Sequence, residues 1–354
     1  MIFNVLNYPD IQSAINAAAG QPVYVPAGIY QIPPLSYITT SSNVYTGGLQ
    51  LIGEGSGVTT LQVKPGSNAP ALTLDTNAVR VWRAQKGITI KGLTIIGGQD
   101  GLSLRHSKDV LLDDVTFQGQ TRHGIHIICN EGDTDGTQNF QMNRCLLWGC
   151  QGWGINADCG TGHNEISVIS LKHCQILECG TAAPGVYPPM SGGIRWRGQQ
   201  ISLELCQINE NYNCGFFNYG GAGLANSILF KAIAFENNTG YHWIIQGCEI
   251  FEEDTCHHYS NDQFICRGCL FDPQPLIRNA RVWGPYIRAS AGNNQYTAFD
   301  ATTPPAPNAL MYVEIDGASW GNFGYAGQEE YGSGLRASIR PWIRDGGVTI
   351  VGAP

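Results

Sequence analysis

One short motif returns six times along this chain, at steps too long for a hairpin and too short for a domain. It reads KGLTI, DDVTF, NRCLL, KHCQI, ELCQI and KAIAF, and its third residue is Leu93, Val115, Cys145, Cys174, Cys206 and Ile233. The steps are 22, 30, 29, 32 and 27 residues. A second motif follows a glycine in each interval: GLSLR, GIHII, GWGIN, GGIRW, GFFNY and GYHWI. Short alternating strands repeated at this period mark a solenoid, in which each coil buries its apolar side against the next. No segment of helical period and helical length separates the strands, which argues against leucine-rich or ankyrin arrays and βαβ units. Turns between stacked strands absorb the variable spacing.

The predicted fold is therefore all-β, a single-stranded parallel β-helix. QGCEI and RGCLF, around Cys248 and Cys269, read as further copies of the first motif. Residues 1–50 are expected to form an N-terminal cap and first strands, 51–280 the β-helix, and 281–354 irregular strands that cap the stack or serve oligomerisation. In the cap, Asp10 starts a short helix whose Ile11, Ala14, Ile15 and Ala18 share one face and which ends at Gly20. Such a helix covers strand edges that would otherwise be open. The chain has twelve cysteines. Cys145, Cys174 and Cys206 share one inward position, so they read as a ladder of free thiols filling the core rather than a disulfide framework.

VYVPAGIYQI after a short helix, then LQLIGEGSGVTTL and GITIKGLTI, resemble the opening coils of pectate-lyase-like right-handed β-helix proteins, among them phage tailspike depolymerases. The resemblance covers roughly residues 8 to 275. It implies a right-handed solenoid, a polysaccharide partner, a trimer, and a place on a phage virion or outside the cell. The family holds lyases, hydrolases, epimerases and binders, so fold alone does not name the reaction. The DPHE stretch of alginate epimerases and the NTD, DD and RIK arrangement of polygalacturonases are missing from the sequence.

Charge narrows the partners. Lys and Arg total 20 against 28 Asp and Glu, a net charge of -8, which argues against nucleic acid. The N-terminus carries no signal-peptide pattern and no stretch is long and apolar enough for a membrane span. No nucleotide-binding glycine loop is present, no cofactor is expected, and no coherent Ser-His-Asp pattern shows in the sequence.

Alternation tells which residues face outward. One outward column reads Ser103, His126, Asn156, Arg195, Phe217 and His242; its neighbour reads Arg105, Ile128, Asp158, Arg197, Tyr219 and Ile244. The step depends on register, because a slip of one residue turns every side chain over. Mixed ionisable and aromatic groups on a long face suit an extended glycan. Asp158, His126, Glu131, Asp133 and Glu210 are the candidate catalytic residues, and Arg105, Asn156, Arg195, Arg197, Phe217, Tyr219 and His242 the candidate substrate-binding ones. His123 and Arg122 lie in the turn before His126. Paired carboxylates would hydrolyse a glycosidic bond. A histidine base with an arginine that neutralises a uronate would instead cleave by β-elimination. GDTDG reads as a solvated turn rather than a calcium loop. Cys256, His257, His258, Cys266 and Cys269 offer zinc-type ligands, but without four that clearly converge, so no metal is expected. The leading expectation is a depolymerase that hydrolyses an extended glycan. A uronate lyase and a non-catalytic glycan-binding virion protein are the alternatives.

Overall fold

A computed structural model describes residues 2–38, 48–76, 87–129, 136–159, 166–181, 188–219, 227–260, 268–283, 286–289, 297–301, 312–316, 319–320, 336–337 and 348–350. The chain divides into two compact units, Met1–Gln175 and Ile176–Pro354.

The first unit opens with the helix Ile11–Ala18. Asp10 caps it by accepting the Ser13 N–H at 2.6 Å. Ile11, Ala14, Ile15 and Ala18 are buried, and Ala19 and Gly20 leave the helix in the left-handed region. Parallel strands follow, each pairing with one in the next coil. Ile88–Ile96 pairs with Lys108–Gln118, placing Leu93 on Val115, and Lys108–Gln118 pairs with Gln138–Asn143 and Leu146–Trp148. A second sheet stacks Leu72–Asp75, Asp100–Arg105, His123–Cys129 and Trp153–Cys159. Inward residues such as Leu102, Ile125, Ile127 and Ile155 are essentially inaccessible.

Corners in this stack are made by single residues. Asp114, Arg144 and His173 each sit at φ of +52° to +55° between two strand segments. One left-handed residue turns the chain sharply, at a modest steric cost for a side chain other than glycine. The residue after the bend points inward, and it is Val115, Cys145 or Cys174. The Cys145 thiol donates to the Asn143 carbonyl and the Cys174 thiol to the Lys172 carbonyl, both at 3.3 Å. Cysteine at this corner is therefore both small filler and a weak donor to a carbonyl beside the bend. Ten cysteines, Cys145 and Cys174 among them, are buried.

The second unit repeats the plan. Gly192–Arg197 pairs with Cys214–Tyr219, which pairs with Tyr241–Asp254. Leu205, Ala232 and Thr255 occupy the same bend, at φ of +51° to +54°. The inward residues after them are Cys206, Ile233 and Cys256. This corrects one expectation: Cys248 and Cys269 do not continue the ladder. Cys269 pairs with Trp243, in the other sheet. The reason is local. Tyr241–Asp254 is one uninterrupted strand of 14 residues, so Cys248 lies in its middle rather than after a bend. Parallel pairing continues beyond residue 281, where Asn279–Trp283 lies against Tyr312–Asp316 and Val313–Ile315 against Val348–Ile350.

Glycine recurs where two coils come closest. A Cβ on Gly124 would lie 2.6 Å from the Gly154 carbonyl oxygen and 2.8 Å from Leu147 Cδ2, so no larger residue fits there. No helix among the described residues is long and apolar enough to cross a membrane.

Candidate functional site

The chemistry of the first unit collects around a carboxylate that the sequence did not single out. Asp100 opens the Asp100–Arg105 strand, pairs in register with His123, and is fully buried. Arg122 grips it from the next coil. Its Nε donates to Asp100 Oδ1 at 2.8 Å and its Nη2 to Oδ2, the fork geometry that favours arginine over lysine. The His123 backbone N–H donates to Oδ1 at 3.2 Å. Burial pushes the Asp100 carboxyl upward. Hydrogen bonds and charge from Arg122 and His126 outweigh that and hold it well below the ordinary carboxylate range. Asp100 therefore stays ionised near neutral pH and cannot serve as an acid there.

His126 stands on this base. Its Nδ1 is 3.5 Å from Asp100 Oδ2 and 3.2 Å from Arg122 Nη2. Its side chain keeps 15% of its surface exposed, so the ring edge away from Asp100 reaches the outer face. The His123 ring lies 5.0 Å from the His126 ring, edge to face. Register fixes the neighbours: Ser103 and Asn156 flank His126, while Arg105 and Asp158 flank Ile128. These two outward columns stand side by side as the alternation predicts. Asp158 is partly exposed, and Asn156 is 5% exposed.

Asp100, His123 and His126 each offer a ligand atom within 4.8 Å of the others, close enough to hold a metal ion. Arg122, however, occupies both oxygens of Asp100 and lies against His126 Nδ1. An ion there would have to compete with this cation of the chain itself for Asp100.

In the second unit, Arg195 pairs with Phe217, and the guanidinium carbons of Arg195 and Arg197 lie 5.1 and 5.2 Å from the Tyr219 ring centre. Arg195 and Tyr219 are partly exposed, and Arg197 is buried. Phe217 faces the same side but is 1% exposed, with its ring 5.8 Å from that of Tyr219. It offers no platform to a sugar ring, contrary to expectation. Glu210 is a left-handed turn residue at φ +57°, half-buried after Gln207–Asn209. Glu131 and Asp133 lie outside the described residues, as does Cys266.

His242 needs the clearest correction. The outward columns end in Ile244 and Gln246, which pair with Phe217 and Tyr219; His242 is not among them and is fully buried. The glycine of GYHWI does not occupy the position of the glycine in GFFNY. Gly240, at φ +85°, is equivalent to Asn213, at φ +81°, and not to Gly215. The coil is thereby offset by two residues, and His242 falls opposite Gly215 at an inward corner. Its ring lies 5.5 Å from that of His258. His258 Nε2 lies 2.6 Å from Glu253 Oε1, Trp243 Nε1 donates to Glu253 Oε2 at 2.9 Å, and Cys269 Sγ is 3.5 Å from His258 Nδ1. His257 instead approaches Glu236, at 3.2 Å. Of the zinc-type residues, His258 and Cys269 thus lie in a sealed hydrogen-bonded network, His257 contacts Glu236, and Cys256 fills a buried corner.

In the sequence, Asp-Gly in GGQDG reads as a turn, which hides Asp100 as a site residue. A usable signal was present: Asp100 and His123 both stand immediately before the glycine of the second motif, so two consecutive coils carry an ionisable group at one stacked position.

A solenoid of parallel strands with a charged outward face is a class of architecture that one family model describes. The model for the right handed beta helix region matches residues 77–264, 188 of the 354 residues, and the chain belongs to that family. No curated protein matches it in sequence. Among solved structures it is similar to the A-module of the Azotobacter vinelandii mannuronan C-5 epimerase AlgE6, at 15% identity over 99% of both chains with a TM-score of 0.56. It is similar to the Agl-KA catalytic domain at 10% identity, covering 98% of this chain and 68% of that one, with a TM-score of 0.51. Bacteriophage phi29 gene product 12 in its pre-mature form gives 14% identity, 89% and 49% coverage and a TM-score of 0.50. At these identities the likeness is one of fold.

Proposed function

We propose that this chain binds an extended polysaccharide along its outward face and cleaves it by β-elimination: His126 takes the proton beside a uronate carboxylate, the electron pair forms a C=C bond as the glycosidic C–O bond breaks, and the leaving oxygen takes a proton from water. The observation that carries the reading is the stack beneath His126. In this reading the His126 Nδ1–H donates to the buried, ionised Asp100, which Arg122 locks in place, and the bare Nε2 faces outward as a general base needs. The Arg122 side chain, 39% exposed, adds positive charge where the substrate's carboxylate would lie. Similarity in fold to a mannuronan C-5 epimerase supports a glycan as the ligand, and similarity to a bacteriophage protein supports a place on a virion.

Hydrolysis was the first expectation from sequence. It needs two carboxylates facing one bond. Asp75 and Asp158 stand in one outward column but three coils apart, roughly 14 Å at the strand spacing, and Asp100 is sealed and ionised, which favours elimination. The test is incubation with neutral and acidic bacterial polysaccharides, with products followed by mass and by the absorbance of unsaturated uronate. Unsaturated ends that vanish in His126→Asn support the reading. Water-added fragments establish a hydrolase instead, and binding without cleavage leaves a glycan-binding virion protein.

A further inference from the structure

The first coil covers the outer edges of two of its strands and leaves a third open. Pro22–Tyr24 is covered by Phe3–Asn4, with Phe3 on Val23. Leu35–Ile38 is covered by a side chain: Gln12 Nε2 donates to the Ser36 carbonyl at 2.9 Å, and Gln12 Oε1 accepts the Ser36 N–H at 2.8 Å. One glutamine there does for an edge what a strand would do. Gly28–Ile32 pairs with Thr59–Val63 on one side, and among the described residues no strand or side chain pairs with the other. The Gly28 N–H donates to the Val58 carbonyl, and the Ile32 carbonyl accepts the Lys64 N–H, so the even-numbered residues aim their backbone groups at the next coil. Backbone groups alternate sides along a strand, and the N–H and C=O of Ile29 and Gln31 therefore aim at the open edge.

A cleft of about 300 Å³ lies at this edge, with Pro9, Asp10, Ile11 and Pro33 around Ile29 and Gln31. Ile29 is 73% exposed. We infer that this edge takes an extended peptide segment of a partner protein, added as one more strand and carrying apolar side chains and a basic residue. An extended polypeptide repeats its N–H and C=O groups at the spacing that Ile29 and Gln31 present, about 6.6 Å, and the added hydrogen bonds supply affinity while the cleft reads side chains. Pro9, Ile11, Ile29 and Pro33 favour apolar side chains beside the ladder. Asp10 is the carboxylate of this lining. Hydrogen bonds from Ser13 hold it below the ordinary carboxylate range, so it stays charged near neutral pH and favours a lysine or arginine on the partner. None of these residues belongs to the His126 site, so the inference stands apart from the elimination reading.

The test uses the intact chain. By NMR hydrogen exchange, the Ile29 and Gln31 amides are expected to exchange fast and those of Tyr30 and Ile32 slowly. Protection of Ile29 and Gln31 in the chain alone means the edge is already occupied and overturns the inference. Protection that grows with protein concentration assigns the edge to a second copy and overturns it too. A ribosome-displayed library of random octapeptides is then selected on the chain. Enriched peptides are expected to carry apolar residues at alternate positions and a lysine or arginine, and to slow exchange at Ile29 and Gln31. Gln31→Pro removes one outward N–H and leaves the backbone bonds to Thr59–Val63 in place. It is expected to keep the slow Tyr30 and Ile32 amides and to weaken these peptides about ten-fold. Asp10→Asn keeps the helix cap and is expected to weaken them about two- to five-fold. No enriched peptide, or peptides that bind both variants as tightly as the parent, would sink the assignment.

Discussion

Among the described residues an acid and two histidines meet twice, once on the outside of the first unit and once inside the second. At Asp100, His123 and His126 the carboxylate is buried but its cation, Arg122, reaches solvent, and the His126 ring keeps an open edge. At Glu253, His258 and His242 every member is inaccessible, and the His258 ring is stacked at 2° on Phe235, 5.4 Å away. Residue types are shared, so composition does not separate a reactive cluster from a structural one. Which side of the strand the ring leaves from does. In the outer cluster the protein has neutralised the acid and left the base with unspent capacity. In the inner one each carboxylate oxygen of Glu253 and each ring nitrogen of His258 faces a protein partner, as a charge in the core requires.

That contrast can be broken from either side. His126→Asn should give the largest effect, a loss of kcat of about 100- to 10,000-fold with little change in thermal midpoint; steady-state kinetics beside calorimetry checks both. An equal loss of stability would mean the outer cluster is structural too. His258→Ala should do the reverse. It strands Glu253 in the core and should cost about 3–5 kcal/mol in urea unfolding, while cleavage per folded molecule is preserved.

Acid should separate the two units next. Burial, then the charges of His258 and His257, holds His242 well below its ordinary range. Its folded value is depressed, so the stability tied to neutral His242 is present above about pH 6.5, the unfolded value, and is lost as pH falls below it. Asp100 is depressed as well, but its contribution persists until pH drops below about 3.9 and is lost toward the lower folded value. Hydrogen exchange at about pH 5 should therefore show lost protection around Tyr241–Asp254 while the strand His123–Cys129 stays protected, and His242→Phe should flatten the difference. Equal loss in both would contradict the reading of His242. The smallest effect belongs to the corner thiols: Cys174→Val should cost about 1 kcal/mol in equilibrium unfolding and Cys174→Ser less, since serine keeps a donor for the Lys172 carbonyl.

Much of this was legible in the chain. The repeat, the outward parity of Ser103, His126 and Asn156, the capping helix and the free corner cysteines follow from local pattern alone. So does the closeness of Arg122 and His123 to His126. Asp100 was not legible as a site residue, because its burial comes from Arg122 one coil later. Nor was the buried state of Phe217, since alternation gives a side, while accessibility depends on what covers that side.

The two-residue error at His242 marks the boundary between the two kinds of information. Alternation has period two and is fixed by each residue's neighbours, so the sequence determined which motif folds as strand and which residues leave it on the same side. Register between coils depends on how many residues each turn consumes, and a turn can take its left-handed residue from Asn213 in one coil and Gly240 in the next. Only packing of one coil on another selects among such offsets, through contacts like the Gly215 position against the His242 carbonyl, where a Cβ would come within 2.5 Å. The tertiary structure therefore decided which ionisable groups meet, because their meeting is a property of stacked backbones rather than of any one strand.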